Sequence, residues 1–406
     1  MVRNMGIKLI DTKDFKNIRT VHLLLGPECD MHCRHCQQMN EKETKILTRR
    51  PTEDVMKFLD NFIEFSMKRQ SAAEVWENSY KIMFYGGEAL LHLSLIREIV
   101  EYFYKKHDFL KDGSFRFSLT TNGLGITEEF VEFANKYEIL VNFSYDAPHP
   151  WAVRDYVSDT ICDLVNKIKF VKILSYGCAY NYDPLLVYRC QKEKFPNALL
   201  TYHMELFRTF KEMPNDIDTY DWDKVRLAVR RLCIATKMGD TFAIFTIRNM
   251  LNVKLYPETN VFHNSGGIGV CVAGDKLISV TLDGKIVFCY NCYDELGTLR
   301  DDTIDSIYEK ACTIWYGLYD KECSDCSVRD VCYWGCARML RDEHNHAVNC
   351  ERFRKPFFTI LKEEVQSLSE PLTEEEKIWF AGQELDMEEK VKSFLGEGKR
   401  FESGDA

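Results

Sequence analysis

The stretch VHLLLGPECDMHCRHC, residues 21–36, joins an apolar run to three closely spaced cysteines. The run VHLLLG predicts a buried β-strand. Cys29, Cys33 and Cys36 follow it, with three and two residues between them. Thiols at this spacing can converge on one metal centre. Four ligands would complete a zinc site, whereas three leave a metal with one position open.

The composition limits the classes of protein to which this chain can belong. The chain has 406 residues, of which 45% are hydrophobic, enough for a large core or two domains. Its formal charge of −10 (53 − 63) argues against nucleic acid as a partner. We find no apolar run long enough for a membrane helix and no signal peptide, and we predict a soluble, cytoplasmic protein. In a reducing compartment, 16 cysteines indicate metal or redox sites.

The first half of the sequence alternates between predicted strands and helices. The strands are predicted at 21–26, 81–87, 115–120, 139–145, 170–176 and 198–204. Helical spacing is found at 52–69, 93–106, 127–137 and 157–169. This alternation predicts a parallel sheet with helical crossovers, in the α/β class. A partial barrel and a doubly wound open sheet both fit the pattern.

Unusual loops follow the first four predicted strands. They read CDMHCRHC, GGEALL, TTNGLG and SYDAP. Loops after the carboxyl ends of parallel strands share one face, where α/β proteins place their chemistry. We therefore expect these loops to converge.

Two of these loops suggest a specific chemistry, and each also has a simpler interpretation. The three cysteines suit a [4Fe–4S] cluster with one open iron, or a zinc knuckle completed by His32 or His35. Gly86 and Gly87 allow the backbone to approach a ligand closely, and the carboxylate of Glu88 could bind an ammonium group. An ordinary turn between a strand and a helix would also explain the second loop.

Residues 18–225 resemble the radical S-adenosylmethionine enzymes, through the three-cysteine motif and the Gly-Gly-Glu that follows the second strand. The resemblance implies a partial (β/α)6 TIM-like barrel. It also implies that Cys29, Cys33 and Cys36 hold a [4Fe–4S] cluster whose open iron binds S-adenosylmethionine. The implied cofactor-binding residues are His35, in place of the usual aromatic residue near adenine, and Gly86, Gly87, Glu88, Asn122, Ser144 and Arg154.

The second half of the sequence contains a denser field of cysteines. Residues 270–299 predict a β-hairpin, with Asp283-Gly284 as its turn. The positions Cys271, Gly284-x4-Cys289, Cys323-x2-Cys326-x5-Cys332-x3-Cys336 and Cys350 resemble the seven-cysteine SPASM pattern, which carries two auxiliary iron–sulfur clusters. A pair of zinc sites is the alternative.

The SPASM resemblance also implies a ligand set for each auxiliary cluster. The outer cluster would take Cys323, Cys326, Cys332 and Cys350. The inner cluster would take Cys271, Cys289 and Cys336. Either Cys292 supplies the fourth inner ligand, or that iron is open to a substrate. The remaining cysteines, Cys162, Cys178, Cys190, Cys233 and Cys312, are predicted to be buried small hydrophobic residues.

These patterns predict four segments. Residues 1–225 form the barrel, 226–260 a helical bridge, 261–352 the SPASM domain and 353–406 a helical extension with a frayed tail.

The resemblance implies reductive cleavage of S-adenosylmethionine and abstraction of a hydrogen atom from a peptide. We expect the substrate to be a ribosomally made peptide that is modified by a crosslink, a thioether or epimerisation. An external electron donor such as flavodoxin or ferredoxin is also expected.

Sulfatase-maturing relatives carry a catalytic Asp where this chain has Tyr290, a poor base at neutral pH, which argues against formylglycine synthesis. Only 28 residues precede Cys29, too few for a leader-binding domain, so we expect either a separate leader-recognition protein or direct binding of the substrate by the barrel. A small-molecule dehydrogenase of the same superfamily and a non-catalytic zinc or iron–sulfur protein are the alternatives.

Overall fold

A nine-stranded sheet runs through the chain in this computed structural model. Its strands are β1 Thr20–Leu24, β2 Tyr80–Tyr85, β3 Phe115–Thr121, β4 Leu140–Ser144, β5 Val171–Tyr176, β6 Leu199–His203, β7 Leu277–Thr281, β8 Lys285–Val287 and β9 Glu295–Thr298. The structure describes residues 18–33, 36, 50–69, 80–107, 115–148, 154, 157–203, 219–250, 276–289, 294–317, 325–328, 332, 347 and 350–396.

The first six strands are parallel, and each lies beside the strand that precedes it in the chain. A doubly wound sheet reverses its strand order at a switch point, and β1 to β6 show no reversal. The predicted partial barrel is therefore confirmed, and the doubly wound alternative is wrong.

The predicted hairpin extends this same sheet. β7 pairs in parallel with β1, from Thr20 opposite Leu277 to Leu24 opposite Thr281, and β8 and β9 follow as antiparallel strands. The turn requires Gly284, whose φ is +88°, a conformation that strains residues with a side chain. The cysteine-rich half is thus joined directly to the strand that leads into Cys29.

Ten helices are described around the sheet. They are α1 Glu53–Arg69, α2 Leu93–Lys106, α3 Glu128–Lys136, α4 Asp159–Asn166, α5 Pro184–Lys194, α6 Trp222–Lys237, α7 Thr241–Met250, α8 Ile304–Gly317, α9 Lys355–Glu364 and α10 Glu374–Gly396. Side-chain caps at Thr127, Ser158 and Asp183 accept hydrogen bonds from the first turns of α3, α4 and α5. The predicted boundary at residue 225 falls within α6.

The sheet presents two different faces. In β2, Tyr80, Ile82 and Phe84 are buried, whereas the alternate residues are half-buried. The fully buried face of the first strands and helices α1 to α4 form one hydrophobic core. The other face carries polar residues such as His22, Ser118 and Asn142. This polar face matches the interior of a barrel that is open to a ligand.

A second hydrophobic core forms among α5, α6, α7, α9 and α10. Helix α10 is held there by polar contacts: the Lys237 ammonium lies 2.8 Å from Glu376 Oε1, and Arg231 donates to Gln383 at 2.9 Å. Arg189 also pairs with Glu384. These contacts fix the C-terminal helix against the last helices of the barrel.

The described cysteines form no disulfide, and Cys162, Cys178, Cys190 and Cys233 are buried as predicted, while Cys312 is half-buried. No helix in the described ranges combines the length and apolar character that crossing a bilayer requires.

Candidate cofactor and metal centres

The three-cysteine loop leaves the carboxyl end of β1. Cys33 is buried, Cys36 is half-buried and Cys29 is exposed. The Cys36 amide donates to the Cys33 carbonyl at 3.0 Å, so the backbones of these two cysteines lie close together. Partial burial raises the pKa of Cys29, and the negative charges of Glu88, Cys36 and Asp30 raise it further. The thiols of Cys29 and Cys36 are therefore near enough to each other to interact electrostatically.

The Gly-Gly-Glu loop is bonded along its length to the segment just before Cys29. The Gly87 amide donates to the Gly26 carbonyl at 2.8 Å, and the Glu88 amide donates to the Glu28 carbonyl at 2.7 Å. A Cβ atom on Gly87 would lie 2.2 Å from the Glu28 carbonyl oxygen, and one on Gly86 would lie 2.3 Å from the Gly26 carbonyl oxygen. The close approach at these glycines is therefore made by the cysteine loop itself.

Glu88 connects this second loop to the third. Its side chain is 2% exposed and accepts from the Leu90 amide at 2.9 Å, the Thr121 hydroxyl at 2.7 Å and the Asn122 amide at 2.7 Å. Burial raises the pKa of Glu88, although these hydrogen bonds favour the carboxylate. A carboxylate has about four acceptor positions, so three protein donors leave room for about one donor from a ligand.

Asn122 completes the connection back to the cysteines. Its side-chain amide nitrogen donates to Asp30 Oδ1 at 2.7 Å and lies 3.9 Å from Cys29 Sγ. Its carbonyl oxygen accepts from the Leu124 amide at 2.9 Å. The loops after β1, β2 and β3 thus meet around Cys29, as the sequence predicts.

The fourth loop follows β4. Ser144 is buried at the end of that strand. The Arg154 guanidinium donates to the carboxylate of Asp146, which is fully buried. Gln191 on α5 holds the same loop by donating to the Tyr145 carbonyl at 2.8 Å. Sequence reasoning named Arg154 but missed Asp146, which the acid in SYDAP directly after a strand could have indicated.

Within the described residues, no three His, Cys, Asp or Glu side chains converge on one metal-ion position. His35, predicted to lie near adenine and also considered as a zinc ligand, lies outside the described residues. The donors that are described fit an iron–sulfur cluster in kind, because Cys29, Cys33 and Cys36 supply three thiols on one loop.

Three predicted ligands of the outer auxiliary cluster come together near the second core. Burial raises the pKa of Cys350 to about 11, and the negative charges of Cys332 and Cys326 act in the same direction. Cys326 and Cys332 pack against that core. The Cys326 and Cys332 thiols therefore lie near enough to Cys350 to interact with it electrostatically, and the positive charges of Arg354 and Lys355 act on its pKa in the opposite direction.

Four of the predicted ligands lie outside the described residues, namely Cys271, Cys292, Cys323 and Cys336. Cys289 is buried at the end of β8, in the first core. Sequence reasoning missed Arg354, which donates to Cys332 Sγ from Nη2 at 3.0 Å and from Nε at 3.3 Å. A basic residue one helical turn after Cys350 was the available signal.

No protein-family model matches the chain. It is 29% identical over 170 residues to the radical SAM cyclopropyl synthase TigE of Paramaledivibacter caminithermalis, covering 41% of this chain and 34% of that protein. It is 25% identical over 191 residues to a probable GTP 3′,8-cyclase of Methanococcus maripaludis, covering 44% of this chain and 57% of that protein. The chain thus spans about a third to somewhat over half of these relatives.

Solved structures share the fold over most of the chain. The structure of anSMEcpe with bound AdoMet has a TM-score of 0.59 at 16% identity, covering 86% of this chain and 99% of that one. Streptococcus suis SuiB bound to the precursor peptide SuiA has a TM-score of 0.51 at 14% identity, covering 82% and 75%. The chain is thus similar in sequence to radical S-adenosylmethionine proteins over less than half of its length, and it shares the fold of anSMEcpe and SuiB.

Proposed function

We propose that this enzyme generates a 5′-deoxyadenosyl radical from S-adenosylmethionine and uses it to abstract a hydrogen atom from a peptide. The observation that carries the proposal is the meeting of three strand-end loops around Cys29, joined through Glu88 and Asn122. Catalytic groups in parallel α/β folds are gathered at this face.

Cys29, Cys33 and Cys36 would hold a [4Fe–4S] cluster with one iron left for the amino and carboxylate groups of S-adenosylmethionine. When bound, this cluster supplies the electron that cleaves S-adenosylmethionine. The remaining acceptor capacity of Glu88 lies beside the cysteine loop, where it suits the methionine ammonium group.

Further cofactor contacts are proposed from the other loops. Asn122 would orient the cysteine loop through Asp30. Ser144 and Arg154 would border the cofactor from the fourth loop, where Asp146 fixes the guanidinium. His35 would approach adenine.

Two auxiliary [4Fe–4S] clusters would serve the transfer of electrons, supplied from outside by a flavodoxin or ferredoxin. The outer cluster would use Cys323, Cys326, Cys332 and Cys350, and the inner cluster Cys271, Cys289, Cys292 and Cys336. Electron transfer through three such clusters would make the protein an oxidoreductase.

Two observations on similar proteins support a peptide substrate. SuiB is solved with its precursor peptide SuiA, and anSMEcpe is solved with the Cp18Cys peptide. We propose a crosslink, a thioether or epimerisation on a ribosomally made peptide, presented by a separate leader-recognition protein.

The radical step is tested by replacing Cys29, Cys33 and Cys36 together with Ala. We expect the variant to lose 5′-deoxyadenosine formation under dithionite while it keeps its auxiliary iron. Continued cleavage of S-adenosylmethionine by this variant would show that the cluster assignment is wrong.

The peptide step needs a separate test. Candidate precursor peptides encoded beside the gene are deuterated at their Cα and Cβ positions and incubated with the reduced enzyme and S-adenosylmethionine. We expect deuterium in 5′-deoxyadenosine and a mass change in the peptide. If 5′-deoxyadenosine forms from every peptide without deuterium, the peptide proposal fails and the radical step stands.

A further inference from the structure

Arg354 is a buried arginine whose polar contacts point at one cysteine. Arg354 is only 6% exposed to solvent. Its Nη2 atom lies 3.0 Å from Cys332 Sγ and 2.8 Å from the Cys332 carbonyl oxygen, and its Nε atom lies 3.3 Å from the same sulfur. Two nitrogens on one edge of the guanidinium therefore converge on a single thiol.

The neighbouring cation behaves differently. Lys355 pairs with Glu351, and both side chains are largely exposed, at 45% and 68%. Among the described residues, the polar contacts of Arg354 are all made with Cys332. Burying a guanidinium is costly unless an anionic group compensates it. A ligand thiolate at Cys332 would supply that compensation, since the guanidinium already contacts its sulfur.

The surroundings concentrate this interaction. One π-helical turn begins at Cys350 and ends at Arg354. Negative charge on Cys332 and Cys326 raises the pKa of Cys350, so these thiols interact electrostatically. Phe353 and Phe357 are buried beside them, and the Arg354 guanidinium lies 5.6 Å from the centre of the Phe358 ring. The guanidinium of Arg354 is thus largely shielded from water, and a shielded charge has a larger effect than one at the surface.

We propose that Arg354 is a positioning residue of the outer auxiliary cluster, which orients Cys332 through N–H···S hydrogen bonds and raises the reduction potential of that cluster. The inference rests on the proposed function, because it takes the outer cysteines as cluster ligands. Reduction adds one electron from the external donor to the cluster and forms or breaks no covalent bond. A buried cation and hydrogen bonds to the sulfur favour the more negative, reduced state.

The experiment uses the full chain in a background that leaves the outer cluster alone. In this background Cys29, Cys33 and Cys36, together with the inner ligands Cys271, Cys289, Cys292 and Cys336, are replaced by Ala. The protein is reconstituted anaerobically with iron and sulfide, its iron is quantified, and its potential is measured by titration followed by electron paramagnetic resonance. The variants are Arg354→Gln, which loses the charge, Arg354→Lys, which keeps the charge but loses the planar fork, and Lys355→Met as the matched loss of an exposed charge.

We expect Arg354→Gln to lower the potential enough to change the oxidised-to-reduced ratio at least threefold, which is about 28 mV at 59 mV per factor of ten. Arg354→Lys should lower the potential by a smaller amount, and Lys355→Met should change it least. If Arg354→Gln does not retain iron, the potential of Arg354→Lys tests the inference. Potentials of the Arg354 variants equal to that of the background protein would overturn the inference.

Failure of the proposed function has a different signature. If the background protein takes up no iron, or keeps its full iron after Cys332→Ser, the outer ligand set itself is wrong. If iron binding depends on Cys332 but the potential is unchanged in the Arg354 variants, only the proposed role of Arg354 is wrong.

Discussion

The contact between the Gly-Gly-Glu loop and the cysteine loop can be tested with one methyl group. In Gly87→Ala, the new Cβ would lie 2.2 Å from the Glu28 carbonyl oxygen and 2.4 Å from that of Pro27. Ordinary contact begins at 3.4 Å, so the backbones must separate by about 1.2 Å (3.4 − 2.2). Overpacking costs about 1–3 kcal/mol, and weakening two hydrogen bonds between the loops adds about 1 kcal/mol for each. We expect a net loss of about 2–4 kcal/mol after the gain from a stiffer unfolded chain.

Gly382 provides a matched control for the same substitution. It lies within α10, and a Cβ there would meet no atom within 4 Å. Gly382→Ala should therefore stabilise the protein by about 0.5–1 kcal/mol, the usual difference between Gly and Ala inside a helix. The two variants are predicted to change stability in opposite directions.

Both variants are measured by urea unfolding of the apoprotein, followed by circular dichroism, together with peptide-resolved hydrogen exchange over residues 21–33. Gly87→Ala should exchange faster in that segment, while Gly382→Ala leaves it unchanged. After reconstitution, Gly87→Ala should also bind less iron, because the loop that carries Cys29 has moved. If Gly87→Ala is as stable as wild type, the two loops do not pack as closely as the structure places them.

Three further outcomes are expected. Anaerobically reconstituted protein should contain on the order of 12 Fe per chain if all three clusters are [4Fe–4S], and a value of about 4 would contradict the two auxiliary clusters. Cys292→Ala should alter the paramagnetic resonance spectrum and potential of the inner cluster alone, whereas an unchanged spectrum with full turnover would favour an iron open to the substrate. Lys237→Met should cost about 1–3 kcal/mol, measured by urea unfolding, since the ammonium of Lys237 is 6% exposed and bonded to Glu376. Lys237 holds the pKa of Glu376 below its usual 4.5. The loss of stability caused by Lys237→Met should therefore be complete above pH 4.5 and should disappear at lower pH, as Glu376 becomes protonated. A loss of stability that persists at lower pH would contradict the pairing.

Local signals predicted the elements of the first half well. The six predicted strands agree with the structure to within two residues at each end, and the helix predicted at 93–106 is α2. These signals depend on neighbours in sequence: apolar runs, helical spacing and capping residues such as Thr127. Helix α5 was missed, because its apolar residues are grouped at 184–188 and do not recur at helical spacing. Its usable signal was Asp183-Pro184, a capping residue followed by proline at the first turn.

The sequence by itself determined the chemistry that is available: three cysteines after one strand, a Gly-Gly-Glu after the next, and a second field of cysteines further on. Only the tertiary structure decided what those groups touch. It showed that β7 lies beside β1, that the two glycines face the cysteine loop, and that Arg354 meets Cys332. Residue type and periodicity are local properties, and they can be read along the chain. The partner of a backbone amide or of a buried charge is set by segments distant in sequence that packing brings together, so it emerges only once the chain has folded.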